Sequence, residues 1–368
     1  MSSGKRIRAG VDARSLLCRE PRGEGKSLLR LYQEIRAQRP DIEAVFFGDH
    51  TTDDFRGTLP DGISAVRLDY PGDRFSAWEN LYFPAAATMA RCNALHCTSS
   101  GGPFWSLQPQ LLTVHDLIPA LFDDGLPESA KQLFTKRLKN GLRNAKRIIT
   151  VSAHTKKDLL NTFHGLKTPI DVIHWGCDSM VSGIQPVAEG SPYLVAFGGE
   201  ARRKNTVYTL ERFVAVAEAL PSLKLFLVGV SSKRQRAELT QRAADAGLTD
   251  RVTLPGFVTE DELDGLIRNA SALLYLSLYE GFGLPLLEAI GRGVPVIASD
   301  CTSIPEILDG VPGCFSLERP AAIEEAIVSI VSTQTERTRW QQAQSGVLPR
   351  FSWERTAKQT IGALESCL

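Results

Sequence analysis

The chain has 368 residues, a length for about two domains, and its 43% hydrophobic and 23% charged content is that of a globular protein and not of a disordered one. Its 42 Lys and Arg cancel 42 Asp and Glu, which removes any general attraction to nucleic acid. Seven cysteines form no C-x-x-C pair in a chain too large to need covalent staples, so a reducing, cytoplasmic setting is expected. Residues 1–14 lack the apolar region of an export signal, and the uncharged stretch 92–115 is broken by Asn, Ser, Gly, Pro and Gln, which excludes it as a spanning helix.

In chain order, apolar and β-branched runs predict strands at 7–11, 44–47, 111–115, 147–151, 172–174, 193–197, 224–229, 252–254, 272–276 and 295–298. Between them, apolar residues three and four apart predict helices at 25–38, 127–144, 153–163, 205–219, 233–246, 260–269, 321–332 and 353–366. Runs such as YLVAF and LKLFLVG are apolar on both faces, as in parallel sheets covered by helices. The stretch 178–192, rich in Ser, Gly and Pro, reads as a linker. The expectation is an α/β protein of two Rossmann-like, doubly wound domains facing across a cleft: 1–182, then 190–352, with 353–368 as a terminal helix crossing back to the first domain. Ligands of open α/β sheets bind outside the carboxyl ends of the strands, so candidate residues belong there.

The stretch 275–306 is the richest in such residues. A strand ends near Ser277, Gly281-Phe282-Gly283 makes a tight turn, and Pro285 sits in the first turn of the next helix, where its missing N–H costs nothing. Backbone donors at a helix N-terminus favour an anion, most naturally a diphosphate. Glu280 and Glu288 bracket the turn; read alone, they are equally a surface carboxylate and a helix-dipole carboxylate, and beside a phosphate they would suit sugar hydroxyls. Arg203-Lys204 after the 193–197 strand, His115-Asp116 after the 111–115 strand and Gly23-Glu24-Gly25 before the first helix are each, in isolation, also ordinary turns or packed residues.

EGFGLPLLE resembles the E-x7-E signature of retaining glycosyltransferases with the GT-B fold, and its surroundings resemble glycosyltransferase family 4, especially the mannosyltransferase-like members. GVDARSLL, TVHDLIPALF, TVSAHTKKDL, VIHWGCD, FGGEARRKN, VTLPGFVTEDEL and FSWERTA are similar to family blocks in the same order and cover most of the chain. The resemblance implies that Glu280 lies against the transferred sugar and Glu288 against the nucleotide ribose. Amides of Gly281, Phe282, Gly283 and Leu284 would face sugar and phosphate. Lys204 matches the family lysine on the diphosphate, with Arg203 beside it, although Gly198-Gly199-Glu200 stands where many members carry an Arg. His115 would face the sugar near its 6-hydroxyl, Gly23, Glu24 and Gly25 would form the acceptor-side loop, with Asp12 and Arg14 bracing it, and backbone at Gly256, Phe257 and Val258 would meet the base.

No D-x-D sequence occurs, so no metal and no cofactor is expected, and Lys and Arg take the place of a metal in stabilising the departing nucleoside diphosphate. The expected activity is retaining, metal-independent transfer of a hexosyl group, mannose first, from GDP-mannose or secondly a UDP-sugar to a glycan or lipid-linked saccharide, in bacterial surface polysaccharide biosynthesis. A nucleotide-sugar epimerase and a non-catalytic nucleotide-sugar-binding protein are the other readings. From Ser129 to Lys157 nine cationic residues occur without a carboxylate, interleaved with Leu133, Phe134, Leu138 and Leu142. Peripheral membrane contact through 131–147 is therefore expected beside a solvated-helix reading.

Overall fold

A computed structural model describes residues 6–19, 21, 23–50, 52, 58–70, 75, 77–178 and 192–368. All but the ends of the expected 178–192 linker lie outside the described residues. The chain divides into two compact units. The first comprises Met1–Leu121, Leu126–Gly176 and Phe351–Leu368, and the second Phe122–Gly125 and Cys177–Arg350. The breaks thus fall near, but not at, the expected domain limits, and four residues after Leu121 go with the second unit.

In the first unit a parallel sheet is built from β1 (Arg8–Asp12), β2 (Glu43–Gly48), β3 (Ile63–Arg67), β4 (Ala94–Cys97), β5 (Gln110–Val114), β6 (Ala145–Thr150) and β7 (Ile170–Val172), in the order β3-β2-β1-β4-β5-β6-β7. Every residue of β4 and β5 is buried, as a strand covered on both faces must be. The covering helices are α1 (Gly23–Gln38), α2 (Phe83–Met89), α3 (Ile118–Leu121), α4 (Glu128–Asn144), α5 (Ala153–Thr162) and the C-terminal Trp353–Cys367. A wider turn, Trp78–Tyr82, leads into α2 and stacks Trp78 on Phe83 in the core. The register pairs Val11 of β1 with His96 of β4, and the strand order reverses between these two strands.

The second unit repeats the plan with β8 (Tyr193–Phe197), β9 (Lys224–Val228), β10 (Val252–Gly256), β11 (Ala272–Tyr275), β12 (Val296–Ser299) and β13 (Cys314–Phe315), in the order β10-β9-β8-β11-β12-β13. Its helices are α6 (Thr206–Val216), α7 (Lys233–Asp245), α8 (Glu260–Arg268), α9 (Leu284–Gly291), α10 (Ile304–Ile307), α11 (Pro320–Ser332) and α12 (Gln334–Ser345); Trp353–Cys367 is α13. Here the order reverses between β8 and β11, and such switch points are where doubly wound sheets take ligands.

Three strands and several helices escape the hydrophobic pattern. In β3 only Ile63 is buried, because it is an edge strand, and β4 is only ALHC. Helix α12 is polar, and its buried face is held by amides: Gln344 accepts from Val296 N and donates to the Val296 and Pro312 carbonyls, and Gln341 donates to Gly293 O. Helix α4 ends at Asn144, as expected for the helix over 127–144, and 145–150 is strand, so the expected contact stretch 131–147 runs past the helix into β6. Two of its cations also face inward, Arg137 onto Glu79 and Arg147 onto Asp171. All seven cysteines are free.

Candidate active site

In the second unit, the loops that leave β8 and β11 carry the cations and the carboxylate. After β8 the chain makes a short helical turn, Arg202–Lys204, and Asn205 takes a left-handed conformation (φ 50°) that reverses it into α6. Asn tolerates that conformation better than most residues, and its amide donates to Leu276 O at 3.1 Å, tying this turn to the end of β11. Leu278 N donates to Arg203 O at 2.7 Å, a second tie.

Glu280 is only 8% exposed. Lys204 Nζ lies 2.8 Å from its Oε1, and Arg203 Nη1 lies 3.3 Å from its Oε2. Asp124, three residues beyond α3 in sequence, completes the cluster: it accepts from Arg203 N at 3.0 Å and Arg203 Nε at 3.1 Å. Lys204 Nζ also stands 5.3 Å from the Tyr275 ring centre. Burial first, then the Glu280 carboxylate, pushes the Tyr275 phenol well up, so it stays neutral. Two cations therefore face two carboxylates.

The Glu280 backbone is anchored from β12's following loop. Its N–H donates to Thr302 Oγ1 at 3.0 Å, while Ser303 Oγ donates to the carbonyls of Glu280 and Phe282. Gly283 has φ 118°, a conformation closed to side chains, and α9 starts at the next residue with Pro285 in its first turn. The Phe282 side chain is buried, leaving backbone at the turn. Glu288 lies in the second turn of α9, on partly exposed surface. A third strand end adds Gly256, at φ 78°, whose carbonyl accepts from Gly229 N at 2.6 Å, followed by exposed Phe257 and half-buried Val258. Beside these loops lies a cavity of about 630 Å³ lined by Gly199, Glu200, Asn205, Arg234, Gln235 and Glu238, among others, and so within the range of small-molecule sites.

In the first unit the expected residues also meet at strand ends. Gly23 and Glu24 open α1, and Gly25 is required there: a Cβ on it would lie 2.2 Å from Ser15 O. Arg14 grips Asp12 through two bonds of 2.8 and 2.6 Å, then Glu79 at 3.0 Å, and its guanidinium lies 3.9 Å from the Trp78 ring centre. Burial would lift the Asp12 carboxyl, but Arg14 outweighs it and holds that carboxyl below its ordinary range. Arg137, half-buried, binds Glu79 from α4, joining the buried Asp12, Arg14 and Glu79 in a four-charge network behind the loop.

His115 follows β5 and stacks on Trp175 at 5.8 Å. Its Nε2 donates to Thr98 O at 2.6 Å and lies 3.4 Å from Glu24 Oε1. Asp116 accepts from Ile118 N at 2.9 Å and thus starts α3. The neighbouring His96 is held by Tyr32 Oη and Thr113 Oγ1, each at 2.9 Å, and burial first, then His115, pushes its pKa down to about 3, so it is neutral. For His115 burial is the largest influence and acts downward. Glu24, the Thr98 carbonyl and Asp116 together outweigh it, and the pKa is raised above its ordinary value of about 6.5. A raised histidine pKa means that the pairing stabilises the fold fully below the unfolded value and that this is lost as pH rises through the folded value. Glu24→Gln is expected to bring the His115 pKa down, read from its ring proton shifts across a pH titration; an unmoved midpoint would show that Glu24 does not act on it.

Sequence reasoning set Arg203 and Lys204 opposite the Glu280 loop and singled out Glu24 and His115 without pairing them; the structure brings each set together. It missed Asp124, Tyr275, Thr302 and Ser303. Of these only the Asp123-Asp124 pair after PALF carries a signal, two carboxylates shortly before a helix.

The model of glycosyl transferases group 1 matches residues 182–345, and that of Glycosyltransferase Family 4 matches residues 17–180. The O-antigen chain mannosyltransferase B of Escherichia coli is 28% identical over 70% of this chain and 70% of its own length. The O-antigen chain mannosyltransferase RfbU of Salmonella typhimurium is 29% identical over 55% of each, so the match spans about half the length of that relative. The structure of sucrose-phosphate synthase from Thermosynechococcus elongatus superposes with a TM-score of 0.74 at 18% identity, covering 97% of this chain and 98% of that one, which shows a shared fold. Two doubly wound parallel sheets, matched by both domain models, define a GT-B glycosyltransferase fold. The chain belongs to the family 4 type of these glycosyltransferases, in the mannosyltransferase-like group. No helix among the described residues is long and apolar enough to cross a membrane.

Proposed function

We propose that the protein transfers a hexosyl group with retention of configuration and without a metal ion. The donor is a nucleoside diphosphate sugar, GDP-mannose before a UDP-sugar, and the acceptor is a glycan or lipid-linked saccharide of bacterial surface polysaccharide. The work is done in the cytoplasm, at the inner face of the membrane. The observation that carries this reading is the Arg203–Lys204–Glu280 cluster at the β8/β11 switch point, next to the glycine turn that opens α9.

Sugar–phosphate cleavage leaves negative charge on the departing diphosphate, and fixed cations and amide dipoles aimed at it are worth most where water is excluded. Lys204 and Arg203 supply the charge. With the diphosphate bound they exchange Glu280 for phosphate oxygens, and the released carboxylate accepts from sugar hydroxyls. Glu288, one turn into α9, accepts from the ribose, and backbone at Gly256, Phe257 and Val258 meets the base. His115 and the Gly23-Glu24-Gly25 loop serve the sugar and acceptor side. The E-x7-E resemblance supports retention, and the mannosyltransferase relatives support mannose.

The test is incubation with GDP-mannose and with UDP-sugars, following release of the nucleoside diphosphate and the identity of the sugar product. Released diphosphate with a glycosylated acceptor supports transfer, isomerised donor supports an epimerase, and a melting-point rise without turnover supports a binding protein. Glu288→Ala is expected to raise the donor KM about 10-fold or more, the cost of one hydrogen bond to a charged group, with little change in Tm because the side chain is partly exposed. An unchanged KM would remove Glu288 from the donor site.

A further inference from the structure

We propose that the loop 103–107, the exposed flank of the helix ending at Met89 and the lysine face of α4 form one docking surface for an acidic phospholipid bilayer. The proposal rests on the membrane-face part of the reading above and names the partner chemistry and the residues that meet it.

Large apolar side chains are concentrated here. Trp105 is 60% exposed, Leu107 69% and Met89 85%, and Phe104 and Leu81 are likewise exposed. Large apolar side chains left exposed together on one stretch of a folded unit mark an interaction site. It is also a built surface. Phe104 N donates to Asn80 Oδ1 at 2.7 Å, Gln108 Nε2 donates to Thr88 Oγ1 at 2.9 Å, and Asn144 Nδ2 donates to Phe104 O at 2.8 Å. The loop is thus stitched along the helix, with Leu81 and Met89 each one residue beyond a stitch. Its apolar tips are held out by hydrogen bonds, so little conformational entropy remains to be lost on docking.

The charge around it selects the occupant. Arg143 lies 5.7 Å from the Phe104 ring centre, and it stands on the same face of α4 as Lys136 and Lys139. Lys131, Lys136 and Lys139 line a groove of about 680 Å³ between α3 and α4. Glu128 is the sole carboxylate of α4, and exposed Arg91 follows Met89. The inward-facing Arg137 and Arg147 take no part. Tryptophan and phenylalanine at headgroup depth, flanked by Lys and Arg, suit the boundary of a membrane carrying anionic lipid. A second copy of the chain, paired through the same patch, would set these cations against one another.

The experiment is flotation of the full chain with vesicles of phosphatidylcholine alone or mixed with phosphatidylglycerol. The protein is expected to float with the mixed vesicles only and to be released by salt. Trp105→Ser with Leu107→Ser, and separately Lys136→Glu with Lys139→Glu, are each expected to lower vesicle partitioning about tenfold or more while Tm stays at the wild-type value, since all four side chains are exposed. The proposal is overturned by a wild-type protein that stays unbound with both vesicles, by either folded double variant floating like wild type, or by a wild-type dimer in light scattering that the Trp105/Leu107 variant dissociates. If the apolar pair fails to fold, the lysine pair decides the question alone. Flotation needs no donor, so its failure leaves the thermal-shift test of the nucleotide site standing, and the reverse also holds.

Discussion

Lys204→Ala is expected to lower kcat about 10²–10³-fold, the scale of removing one preorganised charge-stabilising donor from a transfer reaction, with a much smaller change in donor affinity. The split follows from when the charge is needed. On the proposed reading Arg203 and the amides that open α9 already grip the ground-state diphosphate, whereas the extra negative charge of bond cleavage develops only in the transition state. Lys204 is one of two cations on Glu280, whose side chain keeps Arg203 when the lysine is removed. A modest fall in Tm is therefore expected with a large fall in turnover, and Lys204→Arg should restore part of kcat because the positive charge returns. Single-turnover release of nucleoside diphosphate at saturating donor is the measurement. A kcat within about threefold of wild type would place the departing diphosphate elsewhere.

Ending the chain at Arg350 is expected to abolish stable folding of the first unit. Helix α13 is capped by Ser352, whose hydroxyl accepts from Arg355 N, and it buries Trp353, Ala357, Ile361 and Leu364 on one face against α1, β5 and β6. Polar ties fasten the same face: Thr356 Oγ1 donates to His174 O at 2.8 Å, Gln38 Nε2 donates to Glu354 O at 2.9 Å, and Arg39 pairs with Glu365 at 2.6 Å. Full burial of a large apolar side chain contributes roughly 1.5–3 kcal/mol, so three of them contribute on the order of 5 kcal/mol or more. That is comparable with the whole stability of a domain, roughly 5–15 kcal/mol. Loss of the cooperative thermal transition belonging to the first unit would be seen by calorimetry. Leu364→Ala, which keeps the helix, should cost about 2–5 kcal/mol. A truncated chain with both transitions intact would show that α13 is an accessory to the fold.

Much of the architecture and of the second unit's site was legible in the residues. Strands such as β8, β9 and β11 are short apolar runs that only a sheet covered on both faces can bury, and α13 announces itself by Trp353, Ala357, Ile361 and Leu364 on one side. The glycine turn before α9 could be placed because Gly283 and Pro285 are restricted by backbone geometry alone. These are local properties, fixed by a residue's own dihedrals and its near neighbours along the chain. By contrast β4, although central, shows only ALHC, and α12 hides its burial because Trp340 is its one large buried apolar side chain and glutamine amides secure the rest of that face.

The composition of the charged clusters was decided by tertiary structure. Asp124 reaches Arg203 across 79 positions of sequence, Glu280 meets both cations only because β8 and β11 pair, and Arg137 turns inward to Glu79 although its neighbours Lys136 and Lys139 face solvent. Coulomb partners are chosen by distance in space, and desolvation by what packs above them; neither varies with position along the chain. By itself, then, the sequence determined a pair of parallel α/β sheets and the residue types that can hold a charged sugar donor. Which carboxylate neutralises which cation, and which basic residues are left to face outward, was settled by strand order and burial.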